Sequence, residues 1–373
     1  MSAAVCGCSE SQSQTVRGHE FYAMNNVATV VVHDNFRVRE NADKFNKFVA
    51  EASRLLNDIE NSISATRTTS CIYKFNEAEA GARVQLDNHA YNVLSVAKSV
   101  YELTDGYYNP AVYYNVQAYG FNGGEFPQTD ADLPTDDEIQ AYMDLYAHFS
   151  ELELHSENDG YYAIKPEYTA EFGGKTLSMK LDLGGIGKGY AADCINELLD
   201  DYGYTQGYFN FGYSSIAFKK YKNNEGYNLS FINPRNIEKT YVRTALSDVC
   251  VSSSGDYENY FTLGEGAEQV RYCHIFNPQT GKPIETGIMS ATVIGGSAAE
   301  NDALTTAIMA MGRDLAINFI TETLSNSALP QRKVIFTYDG GADGYFYYTN
   351  MAASEFEIVS DNFTPLSGAE NVA

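Results

Sequence analysis

Three short segments of this chain hold residue types that could do chemistry together. The first is LDLGGIGKGYAAD, Leu181 to Asp193, with four glycines around Lys188 and aspartates at Asp182 and Asp193. Glycines let a backbone approach a ligand closely, a helix start offers unpaired N–H groups, and a lysine adds positive charge; together these suit an anion such as phosphate. It is not a Walker loop, because Gly189 follows Lys188 where Ser or Thr is needed, and it lacks GxGxxG spacing. A tight turn from strand to helix would use the same glycines. In the second segment, ENDALTTAIMAMG, Asp302 and Thr306 lie four apart and share one face of a helix. A carboxylate and a hydroxyl one turn apart can both ligate a hard cation such as Mg2+. An acidic helix start and a packed threonine would read the same way. The third segment, YCHIFNPQTGKPI, places His274 beside a turn. Histidine is a natural general base near neutral pH, although a lone histidine at a strand edge commonly only hydrogen-bonds.

The patterning around these segments predicts the elements that must position them. YYAIKP and then Leu177, Met179 and Leu181 alternate, which predicts a hairpin over 160–185 ending at the glycine loop. From Lys188 the period becomes helical through Tyr190, Ala191, Cys194, Ile195, Leu198 and Leu199. Helices are also predicted over 42–61, 89–103, 135–149 (opened by a Thr135 to Glu138 capping box), 300–311 and 313–323. Strands are predicted over 28–34, 208–218, 227–233, 248–254, 290–296, 333–339 and 344–350. No steady strand–helix alternation runs through this order, so the class is α+β.

Composition bounds the function. The 373 residues are 44% hydrophobic and 20% charged, a globular balance with a formal net charge of −24. So acidic a chain is unsuited to nucleic acid, which calls for clustered Lys and Arg. An anionic small molecule needs a local device instead: a metal, a helix start or a backbone nest. Trp is absent, but 29 Tyr and 20 Phe are available for packing and for stacking on planar ligands. The six cysteines form no CxxC pair, and Cys71, Cys194, Cys250 and Cys273 read as small apolar residues. Residues 1–20 read as a disordered tail or tether remnant, 21–361 as one domain and 362–373 as a loosely ordered tail. Val5-Cys6-Gly7-Cys8 resembles the end of a bacterial lipoprotein signal, which would make Cys8 a lipid anchor and the chain extracytoplasmic; an ordinary cytoplasmic terminus is the other reading.

Taken together and in order, the segments resemble the ApbE-type FAD:protein FMN transferase family. ISATRTTSCIYKFN (63–76), TDGYYNPAVYYNVQAYGF (104–121), the glycine loop, VSSSGDYENYF (251–261), CHIFNPQTGKPI and SATVIGGSAAENDALTTAIMAMG (290–312) follow the family's sequence of motifs. The resemblance implies an ApbE-like fold of mixed β-sheets flanked by helices. It implies an enzyme that binds FAD with Mg2+, attaches the FMN half to a Ser or Thr hydroxyl of an acceptor protein, and releases AMP. By the same resemblance, Asp302, Thr306 and the Gly185 carbonyl hold the metal. Lys188 steadies the phosphates, and His274 serves as base. Asn76, Asp105, Asp182, Gly184, Gly187, Asp193 and Ser253 contact the flavin nucleotide or hold the loops.

Three departures from the family pattern bear on the flavin ring. Asn109 stands where an aspartate is usual, FNFGYSS replaces an N-x-G-G-D motif, and Thr66 lies near where an aromatic commonly stacks. Tyr73 or Tyr213 could supply the missing ring. Two rival activities use the same elements: hydrolysis of FAD to FMN and AMP, and FAD binding without chemistry. Ser367-Gly368-Ala369 begins an acceptor-like pattern, but Glu370 follows in place of a hydroxyl residue.

Overall fold

The computed structural model describes residues 15–158, 160–221, 225–266, 269–360 and 362–366. Cys6, Cys8 and the 367–370 segment lie outside the described residues. Nine strands form the main sheet, in the spatial order Thr15–Ala23, Asn26–Asp34, Gly207–Phe211, Ser215–Phe218, Val249–Gly255, Ile288–Ile294, Lys333–Asp339, Tyr345–Thr349 and Phe363–Pro365. Every neighbouring pair is antiparallel except the last. Helices Arg39–Ile63, Asn88–Leu103, Gly187–Asp201 and Ala298–Met311 cover one face. A three-stranded sheet, Tyr227–Asn233, Asn236–Leu246 and Phe356–Ile358, packs on the other with a core of its own.

The two layers explain the sequence patterns. In Asn26–Asp34 only Ala28, Val30 and Val32 are buried, at every second position, against the helices. In Ile288–Ile294 all seven residues are buried, because Ala291 and Val293 join the helical core while Met289 and Ile294 join the opposite one. A strand covered on both faces reads as a continuous apolar run.

Side-chain caps open several of the helices. Ser297 Oγ accepts from Glu300 N, and Thr135 accepts from Glu138 N. The site depends on where two helices meet. At Gly189 an added Cβ would lie 2.2 Å from the Ala298 carbonyl oxygen and 2.8 Å from Ala299 Cα. Backbone rather than side chain stands in the way, so only glycine permits this approach. Gly189→Ala is expected to cost about 2–3 kcal/mol of stability by overpacking, seen as a lower urea midpoint with an unchanged slope.

Several expectations are corrected. A strand begins at Thr15, inside the stretch read as tail, and Phe363–Pro365 is paired within the other tail. The hairpin expected over 160–185 is absent as such: Gly160–Ile164 pairs with Arg83–Leu86 and Glu153–Glu157, and a separate hairpin spans Thr169–Ser178. The residues leading into the glycine loop belong to no sheet. The run 208–218 breaks into two strands at Gly212-Tyr213, both at φ +59°. The helix from Arg313 ends at Asn318 and continues as a wider π-helical turn to Leu324. Cys250 and Cys273 are buried as expected, whereas Cys71 and Cys194 are half-buried, and all four are free.

Candidate active site

The glycine loop is held by side chains and loop contacts instead of a strand ladder. Asn76, on the short helix Cys71–Glu77, donates from Nδ2 to the Leu181 carbonyl (2.9 Å) and accepts the Leu181 N–H at Oδ1 (2.7 Å). One buried amide therefore does what a neighbouring strand would do. Asp182 N donates to the Pro110 carbonyl (2.7 Å), and Asp182 Oδ1 accepts from Gly184 N (2.8 Å). The chain then turns, Gly187 N bonds back to the Leu183 carbonyl (2.9 Å), and the helix begins.

The helix Ala298–Met311 meets this loop. Asp302 is 2% exposed, and its Oδ2 accepts from Gly189 N at 2.9 Å. Burial pushes the carboxyl upward, and Lys188 partly opposes this. Thr306 lies one turn on, where a Cβ placed on Gly185 would be 3.2 Å from its Oγ1. No hydrogen bond to the Gly185 carbonyl occurs among the described residues. A buried carboxylate with one oxygen uncommitted, an unpaired carbonyl and a hydroxyl make a set of hard oxygen donors. It contains a single acid, which is why no cluster of three His, Cys, Asp or Glu marks it.

Asp193 ties the two helices from the other side. Its carboxylate accepts from Ala298 N (2.7 Å) and Ala299 N (2.9 Å), capping the helix that carries Asp302. Burial raises its pKa to about 6, against the pull of those two N–H groups.

His274 sits between the strands Val270–Cys273 and Phe276–Asn277, half-buried. Its Nδ1 lies 3.1 Å from the Asn259 carbonyl, which accepts the main-chain N–H of His274 as well. A carbonyl can only accept, so Nδ1 carries the proton and Nε2 is the basic nitrogen. Burial, and then Lys188, push the imidazole down to about 4, so it is neutral at pH 7.

Three hollows adjoin one another through shared lining residues, and Lys188 lines the first and the third. The first, about 360 Å3, is lined by Asp182, Gly184, Gly185, Lys188, His274, Asp302 and Thr306. The second, about 410 Å3, shares Ser214 and Glu258 with it and adds Ser253 and Tyr213. The third, about 490 Å3, runs from Gly187 and Lys188 to Thr66 and Arg67. Each alone falls in the lower half of the usual range for small-molecule sites, and together they form one extended cleft.

Not every residue singled out in the sequence reaches this cleft. Asn76 and Asp193 hold backbone, as described. Asp105 is exposed on a loop at φ +50°. Glu258 is a cavity residue that sequence reasoning missed. Burial raises its carboxyl, with Lys188 acting against the shift; its only signal was an acid within VSSSGDYENYF.

The model of the ApbE family matches residues 24–329. The chain belongs to the ApbE family. A protein named FAD:protein FMN transferase from Vibrio cholerae is 26% identical over 300 residues, covering 78% of this chain and 80% of the relative. Its counterpart in Escherichia coli is 25% identical over 257 residues, 68% of each chain. One from Buchnera aphidicola is 32% identical over 135 residues and is matched over only 38% of its length. The solved structure of the flavin transferase ApbE from Vibrio cholerae superposes with a TM-score of 0.72 at 22% identity, covering 90% of this chain and 97% of that one. The Thermotoga maritima ApbE protein gives 0.70 at 23% identity, covering 88% and 96%. These likenesses establish the ApbE fold, α+β with mixed sheets flanked by helices.

The departures from the ApbE pattern acquire a physical setting. Asn109 is buried, donates from Nδ2 to the Tyr146 carbonyl (3.1 Å) and accepts from Ala111 N (2.9 Å). An ionised aspartate could make only the second bond. Of the two candidate rings, Tyr73 lines none of the three hollows, while Tyr213 lines the second and is 79% exposed.

Proposed function

We propose that this chain is a Mg2+-dependent flavin transferase that cleaves FAD and attaches FMN through a phosphoester to a Ser or Thr hydroxyl of a target protein, releasing AMP. Membership of the ApbE family and its relatives' names support the flavin substrate. The observation that carries the chemistry is the buried Asp302 carboxylate, beside Gly185 and Thr306 and in the same hollow as Lys188 and His274.

The residues present fit Mg2+. Asp302, Thr306 and the Gly185 carbonyl would hold it, and the low exposure of Asp302 calls for a compensating cation. When bound, the ion supplies Lewis acidity and charge neutralisation at the diphosphate. A charge of opposite sign at 4 Å is worth about 4 kcal/mol at an effective dielectric near 20, which matters in a chain of net charge −24. Lys188 steadies the phosphate oxygens as negative charge shifts onto the leaving AMP, while the Gly187 and Gly189 N–H groups beside it are spent on holding the loop. Nε2 of His274, unprotonated at neutral pH, takes the proton from the acceptor hydroxyl. That oxygen bonds to the flavin-side phosphorus as the bond to the AMP oxygen breaks.

The test incubates the purified chain with FAD and MgCl2, with and without a folded acceptor domain bearing Ser or Thr, and follows AMP and protein mass. Transfer gives AMP together with an acceptor heavier by one FMN. Free FMN in place of a labelled acceptor would establish the hydrolase reading, and intact FAD would leave a binding protein. The same reading places the chain outside the cytoplasm on a lipid carried by Cys8; the mass of the N-terminal peptide from the native source checks that attachment. Among the described residues no helix is long and apolar enough to cross a membrane.

A further inference from the structure

Two donors in the central hollow take no part in the arrangement above. Tyr108 is 3% exposed, and its hydroxyl is buried with no hydrogen-bond partner. Asn122 holds its Nδ2 buried and equally unpaired. Other buried polar atoms without partners occur among the described residues, but only these two belong to residues lining the three hollows of the cleft. Both line the first hollow with Lys188 and Asp302, and Asn122 also lines the third.

A buried donor without an acceptor destabilises the protein that contains it, and native proteins leave few such groups. Two in one cavity, beside a lysine that makes no ion pair among the described residues, point to an acceptor-rich occupant. An amide N–H cannot ligate a cation, so the occupant presents oxygens. Tyr108 also stands at the right edge of the loop. A Cβ placed on Gly185 would lie 3.5 Å from its ring and 3.2 Å from Thr306 Oγ1, so ring and hydroxyl flank the same point of the backbone.

We infer that Tyr108 and Asn122 are two further binding residues of this site, donating hydrogen bonds to the oxygens of a diphosphate. The diphosphate as ligand rests on the proposed function, since that is the group FAD would bring here. Lys188 supplies charge without direction, and the two neutral donors supply direction. They would thereby favour a bridged diphosphate over a single phosphate of equal charge.

The test uses Tyr108→Phe, Asn122→Ala and the double variant in the full chain. Titration calorimetry would follow inorganic pyrophosphate, FAD and riboflavin, each with MgCl2. Each single change is expected to weaken pyrophosphate and FAD by about tenfold, the effect of one hydrogen bond to a charged group. Riboflavin, which lacks phosphate, should be unaffected. The ligand-free Tyr108→Phe protein should melt no lower than wild type, because the change removes an unpaired hydroxyl and keeps the ring. Unchanged affinities for pyrophosphate and FAD overturn the inference, and so does a lower melting temperature at unchanged affinity, which marks a structural role. A wild type that binds pyrophosphate but not FAD, with affinity lost in the variants, sinks the flavin reading and leaves this one standing. Tight FAD binding in wild type and double variant alike does the reverse. A wild type that binds neither ligand overturns both.

Discussion

Asp302→Asn is expected to remove Mg2+-dependent release of AMP from FAD while leaving the fold in place. The carboxylate is 2% exposed and is the single acid of the donor set. Losing its charge removes the one group that both attracts the cation and lies out of reach of competing water. The loss of activity should approach 10^3-fold, about 4 kcal/mol of transition-state stabilisation of the kind a bound cation provides. Asparagine is a cleaner choice than alanine, because its Oδ1 can still accept the Gly189 N–H that now bonds at 2.9 Å. Alanine would also strand that N–H, at a cost of about 1–3 kcal/mol, and confuse instability with lost chemistry. Full activity of a folded Asp302→Asn protein at ordinary MgCl2 would refute the assignment.

His274→Ala is expected to bind FAD as wild type does but to transfer FMN about 100-fold more slowly or worse, the usual scale for a lost general base. The imidazole also predicts a pH profile. With its pKa at about 4, the group is already neutral at pH 6. The kcat/KM of wild type should then show no step near pH 6.5 belonging to this residue, where an exposed histidine would place one. Stability has its own sign. Between about pH 4 and 6.5 the unfolded chain holds a proton here that the folded chain does not, so stability rises with pH through this window and the contribution is complete above it. His274→Gln, which cannot titrate, should flatten that part of the urea-midpoint profile. A transfer rate unaltered by either change would take His274 out of the mechanism.

Much of this was legible from periodicity. Asp302 and Thr306 fall on one helical face because four residues make about one turn. The strands at 28–34, 227–233 and 333–339 declare themselves through β-branched and aromatic runs. Failures occurred where a tertiary contact replaced a local signal. Leu177, Met179 and Leu181 alternate as a strand would, yet the approach to the loop is fixed by one amide from Asn76, more than a hundred residues earlier. Asp193 reads in the sequence as a nucleotide contact or as a residue that holds the loops; it holds backbone, but the helix it caps begins about a hundred residues later, where no local signal points. Glu258 had no periodicity to reveal it. The turn at Gly212-Tyr213 was hidden because tyrosine rarely takes a positive φ.

Gly189 against Ala298, Asp193 on the Ala298 and Ala299 amides, and Asp302 on the Gly189 amide fasten two helices at three points within a turn or so of each. Such a clasp leaves no hinge between them, so a bulky nucleotide cannot enter by prising these helices apart. The opposite side of the cleft is walled by the Met24-Asn25 hairpin tip and the Phe121-Asn122 segment. The clasped pair is therefore the fixed wall, an anvil that keeps Asp302 and Lys188 in register whatever occupies the cleft.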